Sequence, residues 1–130
     1  MCEQKRWILL EHKGAPDDPV GIHFDLLVED KNVCRTWRLA TIPALDGPSQ
    51  IVIPLQAHRL AWLDHSEGEV SGGRGWAKKV MAGFFFDELP KNLNERFQIE
   101  LHSKTGLVGN LKIENCLCSL TSVAASRFFP

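Results

Sequence analysis

Two side chains that could bind a metal ion or a phosphate lie two residues apart in the stretch 21–29, G-I-H-F-D-L-L-V-E. This stretch has the alternating pattern of a β-strand, in which successive side chains point to opposite faces. His23 and Asp25 therefore share one face, with Cα atoms about 6 to 7 Å apart, while Phe24 and Leu26 point to the other. The spacing suits two ligands of one ion or two groups that hold one phosphate.

A hairpin is expected to bring an arginine to the same place. The polar residues Lys31 and Asn32 form a tight turn, and a second strand pattern covers residues 33–39. With a two-residue turn, the antiparallel ladder places Arg38 opposite Asp25. We expect the Arg38 guanidinium to lie at the candidate site and to bind phosphate. A plain cross-strand salt bridge, which contributes little energy, is the alternative.

The rest of the chain consists of closely spaced strand patterns with almost no helical periodicity between them. The pattern predicts an all-β fold, either a small antiparallel β-barrel or a sandwich, with at most one or two short helices. We expect a break near Pro54, a kink at Gly83 and a short helix over 91–95. Residues 119–130 show no assignable pattern. The predicted strands are residues 7–11, 21–29, 33–39, 51–55, 58–63, 76–86, 97–102 and 107–113.

Length and composition indicate one ordinary globular domain over residues 1–130. The chain is 44% hydrophobic and 24% charged, and its formal net charge of -1 gives no general attraction to nucleic acid. Phosphate binding would therefore need a local basic patch. The four cysteines lack a C-x-x-C spacing, the first residues lack the pattern of a signal peptide, and no apolar run is long enough to cross a membrane. We expect a cytoplasmic protein with reduced thiols and no membrane partner.

Several short motifs occur in an order that resembles a known family. The ordered set is similar to the 3'-phosphoesterase domain of bacterial DNA ligase D, and the chain resembles a single-domain, divergent relative of it. The motifs are Glu11-His12, the run H-F-D-L-L-V-E that begins at His23, Thr36-Trp37, G-P-S ending at Ser49, His58, Glu67-Gly68, G-G-R-G around Arg74, and L-H-S-K-T-G-L-V-G-N-L ending at Leu111.

The resemblance implies a small β-barrel with a divalent-metal site that trims DNA 3' ends carrying a phosphate or a terminal ribonucleotide. Such trimming belongs to DNA repair by non-homologous end joining. The family's metal ligands correspond to His12, His23 and Asp25, and its phosphate-contacting histidine corresponds to His58. Manganese is the expected metal; the mixed imidazole and carboxylate set also suits zinc or iron. His58 could act as a general acid or as a cationic phosphate clamp.

Two residues depart from the family pattern. Leu27 stands where the family has an arginine, and Trp62 stands where it has a tyrosine. Arg38 could replace part of the missing arginine's role. Arg74 is a second candidate, because a glycine-rich turn can present backbone N–H groups and a guanidinium to an anion. The same glycines are also explained by a hairpin turn that needs positive φ.

Two functional classes stay open at this point. The first is a metal-dependent hydrolase that acts on DNA 3' ends or another phosphate ester. The second is a catalytically impaired barrel retained as a nucleic-acid or protein binding module in DNA repair. In either case a DNA ligase or polymerase would be a partner acting in trans.

Overall fold

The computed structural model describes residues 3–92 and 95–123. This part of the chain forms nine β-strands and one short 3-10 helix, so the predicted all-β fold class is confirmed. The elements are β1 Lys5–Lys13, β2 Ile22–Asp30, β3 Val33–Leu39, β4 Gln50–Arg59, the 3-10 helix Leu60–Asp64, β5 Glu67–Glu69, β6 Trp76–Phe85, β7 Phe97–Ser103, β8 Gly106–Glu114 and β9 Leu117–Thr121.

Eight of these strands close into an antiparallel barrel. Their order around the ring is β1-β2-β3-β4-β9-β8-β7-β6, and β6 returns to pair with β1. The three-residue strand β5 pairs with β6 outside this ring. The closure decides between the two predicted architectures in favour of the barrel, which leaves few unpaired strand edges.

The alternation predicted for β2 divides its side chains between two cores. Phe24, Leu26 and Val28 point into the barrel, where they join the main hydrophobic core. Leu27 points outward and is fully buried in a second, smaller cluster. We call this the outer core; its buried members are Ile8, Leu10, Leu27, Cys34 and Leu63, with Leu60, Trp62 and Ala82 packed against them.

The hairpin register predicted from the two-residue turn is confirmed. Asp30 pairs with Val33, and Asp25 pairs with Arg38. Lys31 adopts a positive φ of 59°, the left-handed conformation that a tight hairpin turn requires.

The predicted break near Pro54 is wrong. Residues 51–59 belong to one continuous strand, β4, and the predicted strand over 58–63 instead turns into the 3-10 helix after Arg59. Within the described residues, β4 pairs with β9 only at Gln50 and Ile51, so Pro54 lies where one side of the strand has no partner. A proline there leaves the ladder intact, because the N–H that it lacks is not needed on the unpaired side.

The irregularity of β6 lies at Val80 and not at Gly83. The pairing with β1 shifts between Leu9 and Leu10, which leaves Val80 as the extra residue of a bulge. Gly83 is required for another reason: a Cβ atom there would lie 1.7 Å from the carbonyl oxygen of His102 on β7. Close strand approach, not a kink, explains this glycine.

The chain end is described only to residue 123. Residues 119–121, unassigned in the sequence, belong to β9, and residues 124–130 lie outside the described part. The helix predicted over 91–95 falls partly on residues 93 and 94, which also lie outside it. None of the described helices has the length and hydropathy of a membrane span. Cys34, Cys116 and Cys118 are free thiols.

Candidate functional site

The β1–β2 pairing places the three predicted metal ligands together on the outside of the barrel. His12 pairs directly with His23, and Asp25 shares the face of His23 because it lies two residues further along β2. One donor atom from each of the three side chains lies within 4.8 Å of the other two. His23 and Asp25 are buried, and His12 is half-buried.

His23 is oriented by a carboxylate from the loop that precedes β2. Its Nδ1 lies 2.8 Å from Oδ2 of Asp18. A carboxylate accepts, so Nδ1 carries the proton and donates, and in the neutral ring Nε2 keeps its lone pair. This Nε2 points toward Oδ1 of Asp25 at 3.3 Å.

His12 is oriented in the same way by a backbone carbonyl. Its Nε2 donates to the carbonyl oxygen of Arg74 at 2.7 Å. The lone pair of the neutral ring is then on Nδ1, which lies 3.3 Å from Oδ2 of Asp25. In each imidazole, one ring nitrogen thus donates to an acceptor while the other faces Asp25. Histidine ligands at metal sites are oriented by the same arrangement.

The three side chains form one donor set. Two ring nitrogens face the two oxygens of one carboxylate, and both Nε2 of His23 and Oδ1 of Asp25 are buried without a hydrogen-bond partner. Two donor atoms at about 2.1 Å from one cation are separated by about 3.0 to 3.4 Å in octahedral to tetrahedral geometry. Both 3.3 Å separations lie in this range, while the full donor set spans up to 4.8 Å, so the residue types suit a divalent cation and the side chains would close slightly around it.

The Asp18 carboxyl takes part in the electrostatics of the site. The hydrogen bond from His23 is the main cause that lowers the pKa of Asp18 below its usual 3.8, and the N–H of Val20 and the Arg38 charge act in the same direction. Burial opposes this shift. Asp18 is therefore ionised wherever the protein is folded at moderate pH, and it favours a His23 ring that donates from Nδ1.

A cleft of about 530 Å³ opens next to the donor set, and we call it the site cleft. It brings five of the six predicted site residues together, while His23 lies buried behind them in contact with His12 and Asp25. The predicted residues that line it are His12, Asp25, Arg38, His58 and Arg74.

Arg38 reaches the site cleft but is held there by an aspartate. Its Nη2 donates to Oδ2 of Asp17 at 3.2 Å, and the Asp17 side chain is 70% exposed. The Nε of Arg38 is buried without a partner. The guanidinium therefore has unused hydrogen-bonding capacity beside the donor set, and its present partner is a solvent-exposed carboxylate.

Arg74 contributes to the site through its backbone. Its guanidinium folds back onto Ser71, where Nε donates to the carbonyl oxygen at 2.6 Å and Nη2 donates to Oγ at 3.1 Å. Its own carbonyl oxygen fixes His12. The sequence pointed to the Arg74 side chain as an anion-binding group, and the role of the Arg74 carbonyl was not predicted.

His58 has one ring nitrogen committed and one available. Nδ1 lies 3.1 Å from the carbonyl oxygen of Gln56 and 3.0 Å from Oγ1 of Thr36. Because a carbonyl only accepts, Nδ1 carries the proton, and within the described residues Nε2 has no hydrogen-bond partner. Nε2 can therefore take up a proton and return it.

The two departures from the family pattern have structural explanations. Leu27 is fully buried in the outer core, so an arginine at this position would place its stem among Ile8, Leu10 and Leu63. Trp62 lies at the end of the site cleft with its ring 6.3 Å from that of His58. Its indole is a donor only and cannot take or give a proton as a phenol does.

Sequence reasoning missed Asp17, Asp18 and Thr36. The two aspartates are adjacent in a loop bounded by Gly14 and Gly21, both of which have positive φ. The signal available in the sequence was two carboxylates in the segment between the candidate ligands. Their separate roles depend on the loop conformation, which no residue pattern specifies.

No protein-family model and no curated protein matches this chain.

Proposed function

We propose that this protein is a metal-dependent phosphoesterase that acts on DNA 3' ends carrying a phosphate or a terminal ribonucleotide. The observation that carries the proposal is the donor set, in which Asp18 and the Arg74 carbonyl turn His23 and His12 toward one buried carboxylate. The resemblance to the 3'-phosphoesterase domain of DNA ligase D, described above on sequence motifs, supplies the substrate class and the preference for manganese.

In this proposal His12, His23 and Asp25 hold a divalent cation through Nδ1, Nε2 and the carboxylate. When bound, such a cation polarises a phosphoryl oxygen as a Lewis acid. Manganese suits this mixed nitrogen and oxygen set, and zinc or iron is also compatible with it. The open side of the donor set faces the site cleft, where a phosphate group can enter.

Arg38 supplies the positive charge that the family obtains from the position of Leu27. The guanidinium binds phosphate oxygens through its planar fork, and it does so here from the strand next to Asp25. Asp17 occupies part of that fork in the free protein, so a phosphate must displace an exposed carboxylate.

His58 serves as the proton-transfer group. With Nδ1 held by the Gln56 carbonyl, Nε2 first takes up a proton, and the charged ring then either protonates the leaving oxygen from Nε2 or clamps the phosphate. Both roles need an imidazole on the wall of the site cleft, where His58 lies.

A second candidate function is a binding module that has kept the barrel and lost catalysis. Two observations favour it. Arg38, the arginine that pairs with Asp25 across the hairpin, already forms an ion pair with the exposed Asp17. Trp62 cannot supply the hydroxyl of the tyrosine that the family has at its position. Such a module would recognise nucleic-acid ends or a repair protein, including a DNA ligase or polymerase acting in trans.

A turnover assay with manganese on DNA primers that end in a 3'-phosphate or one ribonucleotide tests the proposal. We expect release of phosphate or of the terminal nucleoside, loss of turnover with EDTA, and loss with His23→Ala or Asp25→Asn. Glu114→Gln is the control, because Glu114 is 40% exposed, pairs with Arg96 and lies outside the site cleft. Turnover that survives His23→Ala would refute the metal-site proposal. No turnover combined with tight binding of DNA ends would support the module instead.

A further inference from the structure

A second cleft of about 390 Å³ lies on the other side of the 3-10 helix from the site cleft. Trp62 of this helix lines the site cleft, whereas Leu63 and Asp64 line the second cleft. The second cleft is rich in cationic and ring-bearing side chains, namely Arg6, His65, Lys79, Phe84 and Lys104.

The two clefts lie on the same outer face of β1 and β6. His12 and Arg6 are six residues apart on β1, so their side chains point to the same side. The paired residues on β6 are Ala77 opposite His12 and Phe84 opposite Arg6. Six residues of strand span about 20 Å, which is about the length of six stacked nucleotides in one strand of DNA.

A row of rings connects the clefts. The ring of His58 lies 6.3 Å from that of Trp62, and the ring of Trp62 lies 4.8 Å from that of His65. His65 lines the second cleft and is fixed by a hydrogen bond between its Nε2 and the carbonyl oxygen of Ala77 at 2.9 Å.

A second group of rings continues from Phe84. His102 stacks on Phe84 with a centroid separation of 5.2 Å and an interplanar angle of 10°. Phe86 packs edge-on against both rings, at 5.6 Å from Phe84 and 5.8 Å from His102, and remains 39% exposed. Aromatic rings on a surface are the platforms on which unpaired bases stack.

The charges of the second cleft also suit a phosphate backbone. Arg6 is already used: it donates to the carbonyl oxygen of Leu63 and pairs with Asp64 at 2.8 Å. Lys79 and Lys104 are exposed, and neither forms an ion pair within the described part of the chain. The acids at or near this cleft are Asp64, which lines it, Glu29, which accepts from the N–H of Arg6, and Glu100, whose Oε2 lies 3.8 Å from Nε2 of His102. The chain has a net charge of -1, so attraction to a polyanion must come from such a local set.

We propose that the second cleft and the ring row bind the single-stranded DNA segment that leads to the 3' end held in the site cleft. This inference rests on the function proposed above and specifies its substrate as an unpaired strand. Bases stack on Phe84, Phe86 and Trp62, and phosphates contact Lys79 and Lys104. A duplex offers no free base faces to these rings, because its bases are already stacked and paired.

The test compares a fluorescent single strand of ten nucleotides with a dinucleotide, both ending in a 3'-phosphate. We expect Lys79→Ala combined with Lys104→Ala to weaken binding of the ten-nucleotide strand and to reduce the slope of log affinity against log salt by about 1.4, since each phosphate contact on a single strand contributes about 0.7. Phe84→Leu, which keeps an apolar side chain but removes the ring, should weaken binding about tenfold. Lys112→Ala is the control, because Lys112 is a half-exposed lysine on β8 that lines neither cleft.

Turnover separates this inference from the proposed function. The variants should lower kcat/KM for the ten-nucleotide strand about tenfold more than for the dinucleotide. Equal loss for both lengths, unchanged binding in both variants, or a blunt duplex that competes as well as the single strand would overturn the second-cleft proposal and leave the phosphoesterase proposal standing. If no substrate turns over, the phosphoesterase proposal fails, and the binding and salt measurements still decide the second cleft.

Discussion

The two faces of the nine-residue strand β2 have different roles. Facing inward, Phe24, Leu26 and Val28 pack into an apolar core that the closed barrel surrounds. Facing outward, His23 and Asp25 are equally buried but leave Nε2 and Oδ1 without partners. Buried polar atoms without partners cost free energy of folding, so the apolar inner face, together with Leu27 in the outer core, must offset this cost. The hydrophobic core inside the barrel thus stabilises the strand that carries His23 and Asp25 on its outer face.

The largest effect should come from a matched pair of neighbouring leucines. Leu26→Ala opens a gap in the barrel core, which closed strands cannot fill, and we expect a loss of about 4 to 5 kcal/mol in the free energy of unfolding. Leu27→Ala should cost only about 2 to 3 kcal/mol, because the short 3-10 helix that covers the outer core can settle into the gap. Urea denaturation of both variants measures the difference. Equal losses would mean that the outer core is as rigid as the barrel.

Metal binding at the outer face of β2 should raise the free energy of unfolding of the whole domain. At a free manganese concentration of 100 times the dissociation constant, we expect a gain of about 2.7 kcal/mol in the free energy of unfolding. Asp25→Asn should remove this gain and, without metal, should cost little stability, since Oδ1 of Asp25 has no hydrogen-bond partner and Oδ2 has only a 3.3 Å contact with Nδ1 of His12. Thermal melts with and without manganese give both values. A gain that persists in Asp25→Asn would place the ion elsewhere.

Asp18 should affect metal affinity and acid stability together. Asp18→Asn leaves the fold in place but weakens the hold on His23, so we expect manganese affinity to fall about 10- to 100-fold. Because the pKa of Asp18 is lowered from 3.8 in the folded protein, its ionised form stabilises the fold above pH 3.8, and this contribution is lost as the pH falls through the lowered value. The stability difference between wild type and Asp18→Asn should therefore shrink below pH 3.8. A constant difference down to pH 2 would exclude the Asp18–His23 hydrogen bond as its source.

The smallest effect on stability should come from the two buried thiols, Cys34 in the outer core and Cys118 in the barrel core. Burial raises the pKa of Cys34 in the outer core and of Cys118 in the barrel core from 9.0 to about 11. The neutral thiols favour the folded state, so their contribution is complete below pH 9 and is lost between pH 9 and 11. With Cys2→Ala as background, iodoacetamide at pH 8 should label the exposed Cys116 and spare the other two. Rapid labelling of Cys34 alone would show that the outer core opens on its own.

The sequence predicted the parts of the fold that short-range rules determine. A two-residue turn determines the register of a hairpin, so the pairing of Asp25 with Arg38 followed from counting residues. The loop 14–21 imposes no such rule, so the pairing of His12 with His23 could not be obtained by counting residues. The six site residues therefore stay predictions drawn from a resemblance and from turns, and the structure adds the cleft that five of them line.

Other features depend on contacts between distant segments. In the sequence alone, Pro54 suggests a break in the strand. The structure shows that one side of β4 is unpaired at this residue, so the strand continues through it. In the sequence alone, Gly83 suggests a kink in the strand. The structure shows instead that the close approach of the His102 backbone requires this glycine. The roles of Asp17 and of the Arg74 carbonyl come from two loops separated by more than fifty residues. Such contacts leave no periodic signal in the chain.

The crossing of those two loops has a consequence for how the protein responds to its ligand. A Cβ atom at Gly75 would lie 2.1 Å from the carbonyl oxygen of Lys13, so the loop that carries Asp18 and the loop that carries Arg74 pass each other almost backbone to backbone. An ion held by His12 and His23 would also tighten both loops, and by reciprocity loosening either loop would weaken the binding of that ion. Amide hydrogen exchange in residues 14–21 and 71–75 should slow together when manganese is added.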